Sequence, residues 1–128
     1  MTLKPWGSSE RIVDAPAIQV EYIEFEKGGY SSIHLHRYKT NVFFVTHGAL
    51  VVRSFRNDDG KIVCIKSRLV IAGQAPLVIH PNILHQFTVT EDGEGYEVYF
   101  AAHSPIPLPD DIERFTENGN EVRKHGGD

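Results

Sequence analysis

The chain has 128 residues, of which 41% are hydrophobic, and its net charge is −4. This length suits one domain, residues 1–128, with a single core, and the scattered Lys and Arg residues exclude a nucleic-acid partner. No segment approaches the roughly 18 apolar residues of a membrane-spanning helix, so we expect no membrane partner and no export signal. Because Cys64 is the single cysteine, no intramolecular disulfide can form, and we expect a cytoplasmic protein.

Short segments with alternating apolar and polar residues follow one another along most of the chain. Their period of two and their β-branched and aromatic residues are typical of strands. The segments lie at residues 18–26, 41–45, 49–55, 61–66, 76–80, 85–90 and 96–102. Turn residues separate them at the short intervals of a β-sandwich or barrel. The sequence therefore predicts an all-β domain whose barrel core spans about residues 18–102.

The tail, residues 103–128, has a different pattern. The three prolines of HSPIPLPD exclude a central strand. In DDIERFTENG, Asp110 or Asp111 is a candidate helix N-cap, Ile112 and Phe115 lie on one helical face, and Gly119 is a candidate stop. We expect one short C-terminal helix on the outside of the barrel.

The segment GGYSSIHLHRYKTNVFFVTHG contains two histidines, His34 and His36, separated by one residue. On a strand such residues point to the same face, so their imidazoles form a ready chelate. His85 opens a later predicted strand, which a barrel can bring opposite the first two. Three neutral imidazoles with an open position are typical of sites for metal-assisted chemistry. The alternative is that these histidines are surface or hydrogen-bonded residues without a ligand.

The spacing around the histidine pair follows a longer pattern. Gly28, His34, His36, Asn41 and Gly48 occur in the order and at the intervals of the first motif of the cupin superfamily. That motif has a glycine, an HxH pair, a glutamate and a second glycine. The segment resembles it at every position except the glutamate, which is Asn41 here.

A later stretch, GQAPLVIHPNILHQF at residues 73–87, resembles the second cupin motif, which ends in PxGxxH. His85 stands at the histidine position, His80 at the usual proline and Asn82 at the usual glycine. Asparagine tolerates the positive φ of a turn glycine. The resemblance to the cupin superfamily implies a double-stranded β-helix, also called a jelly-roll barrel.

The same resemblance implies a ligand set for a divalent transition metal such as Zn, Fe, Mn or Ni. His34, His36 and His85 would be ligands, with Asn41 at the fourth position. A neutral amide leaves the full charge of the ion uncompensated, so the site should bind cations more weakly and anions better than a site with glutamate. Either an anionic substrate or hydroxide completes the shell, or the site has lost its metal.

Four further side chains are candidates for binding a small polar ligand. Strand alternation places Tyr30 on the side of the histidines and Phe43 on the side of Asn41, and Phe87 shares a side with His85. Core packing is the alternative for both phenylalanines. Arg53, inside the apolar segment ALVVRSF, either binds a phosphate or carboxylate at the barrel mouth or lies solvated at an edge.

The opening KPWGSSE is similar to the segment that precedes the cupin domain of bacterial mannose-6-phosphate isomerase and mannose-1-phosphate guanylyltransferase proteins. Alternatively, Trp6 simply covers one end of the barrel. The similarity favours a sugar-phosphate isomerase, whereas a ligand set without a carboxylate favours a dioxygenase. A non-catalytic cupin that binds a small molecule or assembles with partners is the alternative to an enzyme. Since a small barrel has exposed edges, we also expect a homodimer.

Overall fold

The computed structural model describes residues 1–122, whose regular elements are strands and one 3₁₀ turn. In chain order the strands are β1 (Thr2–Lys4), β2 (Gly7–Ala15), β3 (Ile18–Phe25), β4 (Gly29–Tyr30), β5 (His34–Leu35), β6 (Thr40–Asp58), β7 (Lys61–Ile71), β8 (Leu77–Ile79), β9 (Leu84–Phe100), β10 (Glu113–Arg114) and β11 (Gly119–Asn120). The 3₁₀ turn, Leu108–Asp110, lies between β9 and β10. No helix within residues 1–122 has the length and apolar character needed to cross a membrane.

The strands form one curled sheet of antiparallel pairs. One path runs β1-β2-β3-β9-β4-β11, while β6 pairs with β7, β8 and β9, and β5 pairs with β9 and β10. The predicted all-β class is confirmed. The sheet also extends beyond the predicted core, because β1 and β2 add to the edge of β3.

The two longest strands, β6 and β9, pair along most of their length and bend together. Their register shifts between Val45 and Leu50, around Gly48, which has a φ of 82°. A Cβ at Gly48 or at Gly93 would collide with the backbone of the opposite strand. Glycine is therefore required on both sides of the bend. The sequence predicts two separate strands in each of these regions, whereas the structure joins them through bulges.

The core lies inside the curl and is built from alternate residues of these strands. The β6 side chains in the central hydrophobic cluster are Phe43 and Val45 before the bulge and Leu50 and Val52 after it, and each pair has the period of two. Trp6 is only 5% exposed and packs edge-on against Phe87, with ring centroids 5.0 Å apart. Trp6 thus covers one end of the core, as its structural interpretation predicts.

The prediction of a short C-terminal helix at residues 110–119 is wrong. Instead, β10 pairs with β5 and β11 pairs with β4. The carboxylate of Asp111, a predicted helix cap, accepts hydrogen bonds from backbone N–H groups of residues 37–39, so it does not cap a helix of its own. Backbone pairing of this segment with the edges of β5 and β4 therefore stabilises it more than a weakly helical pattern would. Residues 123–128 of the predicted tail lie outside the described residues.

Candidate metal centre

Three histidines meet inside the curled sheet. His34 lies on β5 and pairs directly with His85 on β9, and His36 follows β5 by one residue. The exposed fractions of His34, His36 and His85 are 8%, 3% and 1%, respectively. One potential ligand atom from each lies within 4.8 Å of the other two. The structure therefore brings together the three residues that the spacing singled out.

Backbone carbonyl groups fix the orientation of all three rings. His34 Nδ1 lies 2.8 Å from the Ser32 carbonyl oxygen, His36 Nδ1 lies 2.7 Å from that of Asp111, and His85 Nδ1 lies 2.8 Å from that of Ile83. A carbonyl oxygen only accepts, so each Nδ1 carries the proton and donates it. Each Nε2 is then left with a free lone pair, which is the form that binds a metal.

Two of these lone pairs have no partner in the protein. The Nε2 atoms of His36 and His85 are buried without a hydrogen bond to any of residues 1–122. Buried polar atoms are normally satisfied, and an unsatisfied one costs stability. A divalent cation between the rings would satisfy them, so the donor set fits a metal ion.

Burial keeps the cluster neutral. Desolvation lowers the pKa of His36 and of His85 to about 4, and it lowers the pKa of His34 well below the ordinary value. The neighbouring imidazoles act in the same direction on His34. At neutral pH all three rings are therefore deprotonated at Nε2 and ready to bind a cation.

Asn41, the residue at the usual glutamate position, lies on β6 opposite Tyr99 of β9. Its side chain is fully buried, and neither its oxygen nor its nitrogen has a hydrogen-bond partner of normal geometry within residues 1–122. Such an amide is available to a ligand. Because it is neutral, the cluster contains no charged ligand group to offset a cation.

A second polar group, which the sequence analysis did not single out, lies next to Asn41. Tyr99 donates a 2.7 Å hydrogen bond to Glu97, and Lys39 Nζ lies 4.2 Å from the Tyr99 ring centroid. Burial raises the pKa of Glu97, while the Tyr99 hydroxyl, the nearby Asn41 amide and Lys39 offset this in part. No hydrogen bond of normal geometry joins Asn41 to Glu97. Tyr99 also packs edge-on against His36, with centroids 5.6 Å apart.

A cavity of about 110 Å³ opens beside His34. Its walls combine three aromatic rings with polar and charged side chains: Trp6, Phe87, Tyr99, Ser9, Ser31, Ser32, Asn118, Glu21, Glu97, Lys4, Arg114 and Ile112. A pocket with apolar walls and a few convergent polar groups is the usual form of a small-molecule site.

Of the predicted substrate-binding residues, the phenylalanines lie closest to the histidines. Phe87 lines the cavity. Phe43 is 1% exposed, and its ring centroid lies 6.5 Å from that of His85 and 6.1 Å from that of Phe87. Phe43 thus forms the floor under the cluster and belongs to the core.

The structure does not bring Arg53 or Tyr30 to this cavity. Arg53 alternates with the buried Val52 and points to the outer face, where it donates to the Thr88 hydroxyl at 3.2 Å. Tyr30 lies on a separate, shallow groove next to the tail. For Arg53 this agrees with the solvated alternative, whereas alternation from the histidine segment placed Tyr30 on the side of the histidines.

Asp111 is a further residue that sequence reasoning missed as part of the site. Its carboxylate accepts N–H groups from Arg37, Tyr38 and Lys39 at 2.8, 3.0 and 2.9 Å, and its carbonyl oxygen holds His36. Burial alone would raise its pKa, but these three donors lower the pKa below its ordinary value. No spacing motif links residue 111 to residue 36, and only the pairing of β10 with β5 brings them together.

Comparison with solved structures finds several proteins of similar fold. The capsular polysaccharide assembling protein CapF from Staphylococcus aureus aligns over 91% of this chain with a TM-score of 0.68 and 22% identity. KdgF from Halomonas sp. aligns over 81% of this chain and 86% of its own, with a TM-score of 0.63 and 16% identity. Oxalate decarboxylase from Bacillus subtilis aligns over 89% of this chain with a TM-score of 0.64 and 13% identity. The chain has the cupin fold.

The cupin resemblance found in the two sequence motifs is thereby confirmed at the level of the fold. This chain spans 31% of the CapF chain and 29% of the oxalate decarboxylase chain. The oxalate decarboxylase has Mn(II) centres. Comparison with protein-family models and with curated proteins found no match. The similarity of KPWGSSE to mannose-6-phosphate isomerase proteins has no support from these relatives and stays a prediction.

Proposed function

We propose that this cupin is a metal-dependent enzyme that moves a proton on a small polar substrate in the cavity beside His34. The observation that carries the proposal is the set of three imidazoles whose Nδ1 atoms are committed to carbonyl oxygens. One ring nitrogen of each lies within 4.8 Å of the other two, and His34 lines a cavity that has polar groups of its own.

His34, His36 and His85 would hold the metal, with Asn41 as a neutral neighbour. A divalent ion in such a site acts as a Lewis acid that polarises a substrate oxygen. The protein's own contribution is to keep the three rings neutral and correctly oriented and to exclude water from the buried side of the cluster.

Glu97 is the candidate for proton transfer. It lines the cavity, it is 8% exposed, and burial raises its pKa towards the pH at which a carboxyl can both accept and donate a proton. Tyr99 orients it through the 2.7 Å hydrogen bond. An isomerase requires such a base, and the sequence alone offered no candidate for one. Glu97 therefore favours proton transfer, as in an isomerase, over oxygenation.

A non-catalytic ligand-binding cupin is the second candidate. The observation that favours it is the neutral Asn41 in place of the usual carboxylate, which weakens the hold on a cation. Metal content separates the two candidates first.

The metal is tested by elemental analysis of protein purified without chelator. We expect about one transition-metal ion per chain and a rise in melting temperature when the ion is added back to stripped protein. His36→Ala should lower metal affinity at least about 100-fold, because one of three ligands and its buried lone pair are lost. His47→Ala, at an exposed position on β6, is the matched control and should behave as wild type. Occupancy below about a tenth without any thermal shift would rule out the enzyme.

Proton transfer is tested by exchange of carbon-bound hydrogen in D₂O, followed by NMR, with small hydroxycarbonyl compounds as substrates. Glu97→Gln should lower the exchange rate about 100-fold or more while metal content stays unchanged. Glu91→Gln, an exposed residue of the same strand, should leave the rate unchanged. A metal-loaded protein that binds these compounds without exchange would instead be a binding module.

A further inference from the structure

Two cationic side chains at the cavity beside His34 take no part in the metal centre. Lys4 of β1 and Arg114 of β10 both line this cavity. Within residues 1–122 neither side chain has a hydrogen bond or an ion pair. Arg114 lies directly opposite His34 in the pairing of β10 with β5, so its side chain originates next to the candidate site.

Within residues 1–122 the acidic groups of the same cavity form no ion pair with these cations. Glu21 interacts through Oε1 with Arg11, its cross-strand partner on β2, at 3.5 Å. Glu97 receives the Tyr99 hydroxyl and lies near Lys39. Lys4 and Arg114 thus keep their hydrogen-bond donors available at the cavity, where they can bind an anionic group of a ligand.

An unsatisfied carboxylate oxygen of Glu21 indicates a second feature of the ligand. Glu21 Oε2 is buried and has no hydrogen-bond partner within residues 1–122, although its residue lines the cavity. A buried carboxylate oxygen requires a donor, and a substrate hydroxyl group provides one. The volume of about 110 Å³ and the aromatic walls of Trp6 and Phe87 restrict that ligand to a small molecule.

We infer that the cavity takes a small hydroxy monocarboxylate, with its carboxylate at Lys4 and Arg114 and a hydroxyl group at Glu21. Arginine matches the planar carboxylate with two parallel donors, and lysine adds a point charge. A phosphate dianion suits the cavity less well, because Glu21 and Glu97 line the same space and repel a second negative charge. The inference rests on the proposed function for its assignment of this cavity as the substrate site.

The test is isothermal titration of the metal-loaded protein with D-glycerate, with three probes that each lack one feature. Glycerol lacks the carboxylate, propionate lacks the hydroxyl groups, and glycerol 3-phosphate replaces the carboxylate by phosphate. Glycerate should bind at least about tenfold more tightly than each of them. Arg114→Gln and Lys4→Gln should each weaken glycerate binding about tenfold or more and leave glycerol binding unchanged. Arg68→Gln, an exposed position on β7, is the matched control and should have no effect.

Metal content measured on the same samples separates the two proposals. If the metal is bound but glycerate binds no more tightly than glycerol, or binds equally well to both glutamine variants, the inference is wrong and the proposed function stands. Tighter binding of glycerol 3-phosphate would likewise overturn the assignment to monocarboxylates. If the protein holds no metal yet glycerate binding depends on Arg114 and Lys4, the carboxylate site is supported and the proposed enzyme is not.

Discussion

The three histidine rings are oriented by main-chain carbonyl groups, two of which belong to residues two positions earlier on the same chain segment. Ser32 holds His34 and Ile83 holds His85, so the geometry of each strand start sets the tautomer of its own ligand. Substitution of neighbouring side chains should leave these two hydrogen bonds in place. His36 is the exception, because its carbonyl partner, Asp111, is distant in sequence.

Asn41 offers a direct test of charge in the ligand shell. Asn41→Asp keeps the size of the side chain and adds a negative charge, so we expect divalent cations to bind at least about tenfold more tightly. The metal-free variant should be less stable than wild type, since the new carboxylate is buried beside Glu97. The measurement is the melting temperature with and without Zn²⁺, with Asn41→Ala as the uncharged control. Weaker cation binding in the aspartate variant would place residue 41 outside the shell.

The clustering of the three histidines was predictable from the sequence because strand geometry determines which side chains share a face. The single residue between His34 and His36 fixes their common direction, and His85 follows a turn that the positive φ of Asn82, 67°, makes possible. Glu97 gave no comparable signal. An acidic residue in a strand pattern is usually solvated, and only the closed barrel shows that this one is buried.

At the scale of elements, the histidine cluster depends on the segment that contains residues 108–120, which we call the tail strap. The tail strap pairs with β5 through β10 and with β4 through β11. It also exchanges hydrogen bonds with Ile33, which donates to Thr116 and accepts from Phe115. The histidine strand has two residues and would have one free edge without this partner. The helix propensity of residues 108–120 could not predict this pairing. The free edge that the tail strap covers belongs to β5, which is distant in sequence.

Asp111 is the residue through which the tail strap acts on the site. Asp111→Asn replaces one acceptor oxygen by an NH₂ group that faces backbone N–H donors, so we expect a loss of about 1–3 kcal/mol in the free energy of unfolding. Metal affinity should fall about 10- to 100-fold, because the Arg37–Lys39 turn next to His36 loosens. Urea denaturation and metal titration measure the two effects. Asp110→Asn, at the exposed neighbouring position, should change neither.

At the scale of the whole molecule, the fold was predictable and the assembly was not. Alternation and turn residues predict a β-barrel, and two glycine- and histidine-containing motifs predict the cupin fold. The paths of β6 and β9 were not predictable, because a bulge at Gly48 and Gly93 looks like a turn in the sequence. The homodimer and the cytoplasmic location stay predictions, and sedimentation velocity tests the first of them.

Burial of three neutral histidines makes the stability of the metal-free protein depend on pH. An unfolded histidine has a pKa of about 6.5, whereas folding lowers the pKa of His36 to about 4. Between these values the unfolded chain binds more protons, so stability is complete above about pH 6.5 and falls as the pH drops towards 4. The limiting slope is about 1.4 kcal/mol per pH unit for each such histidine.

The measurement is urea denaturation of chelator-treated protein at several pH values between 7 and 4.5. A His36→Gln variant provides the reference, because it removes the titration of His36 together with its effect on the pKa of His34. The difference in unfolding free energy should shrink steadily below about pH 6.5. A constant difference over this range would mean that His36 keeps an ordinary pKa in the folded protein.

The contact between His36 and residue 111 spans 75 positions of the chain. During translation, the first two imidazoles leave the ribosome long before the third, and the carbonyl group that aligns His36 emerges last of all. A nascent chain therefore presents only a loose pair of rings to the metals of the cell. Selection of an ion would therefore wait until residue 111 has been made, when the folded pocket rather than the bare HLH sequence decides which cation stays.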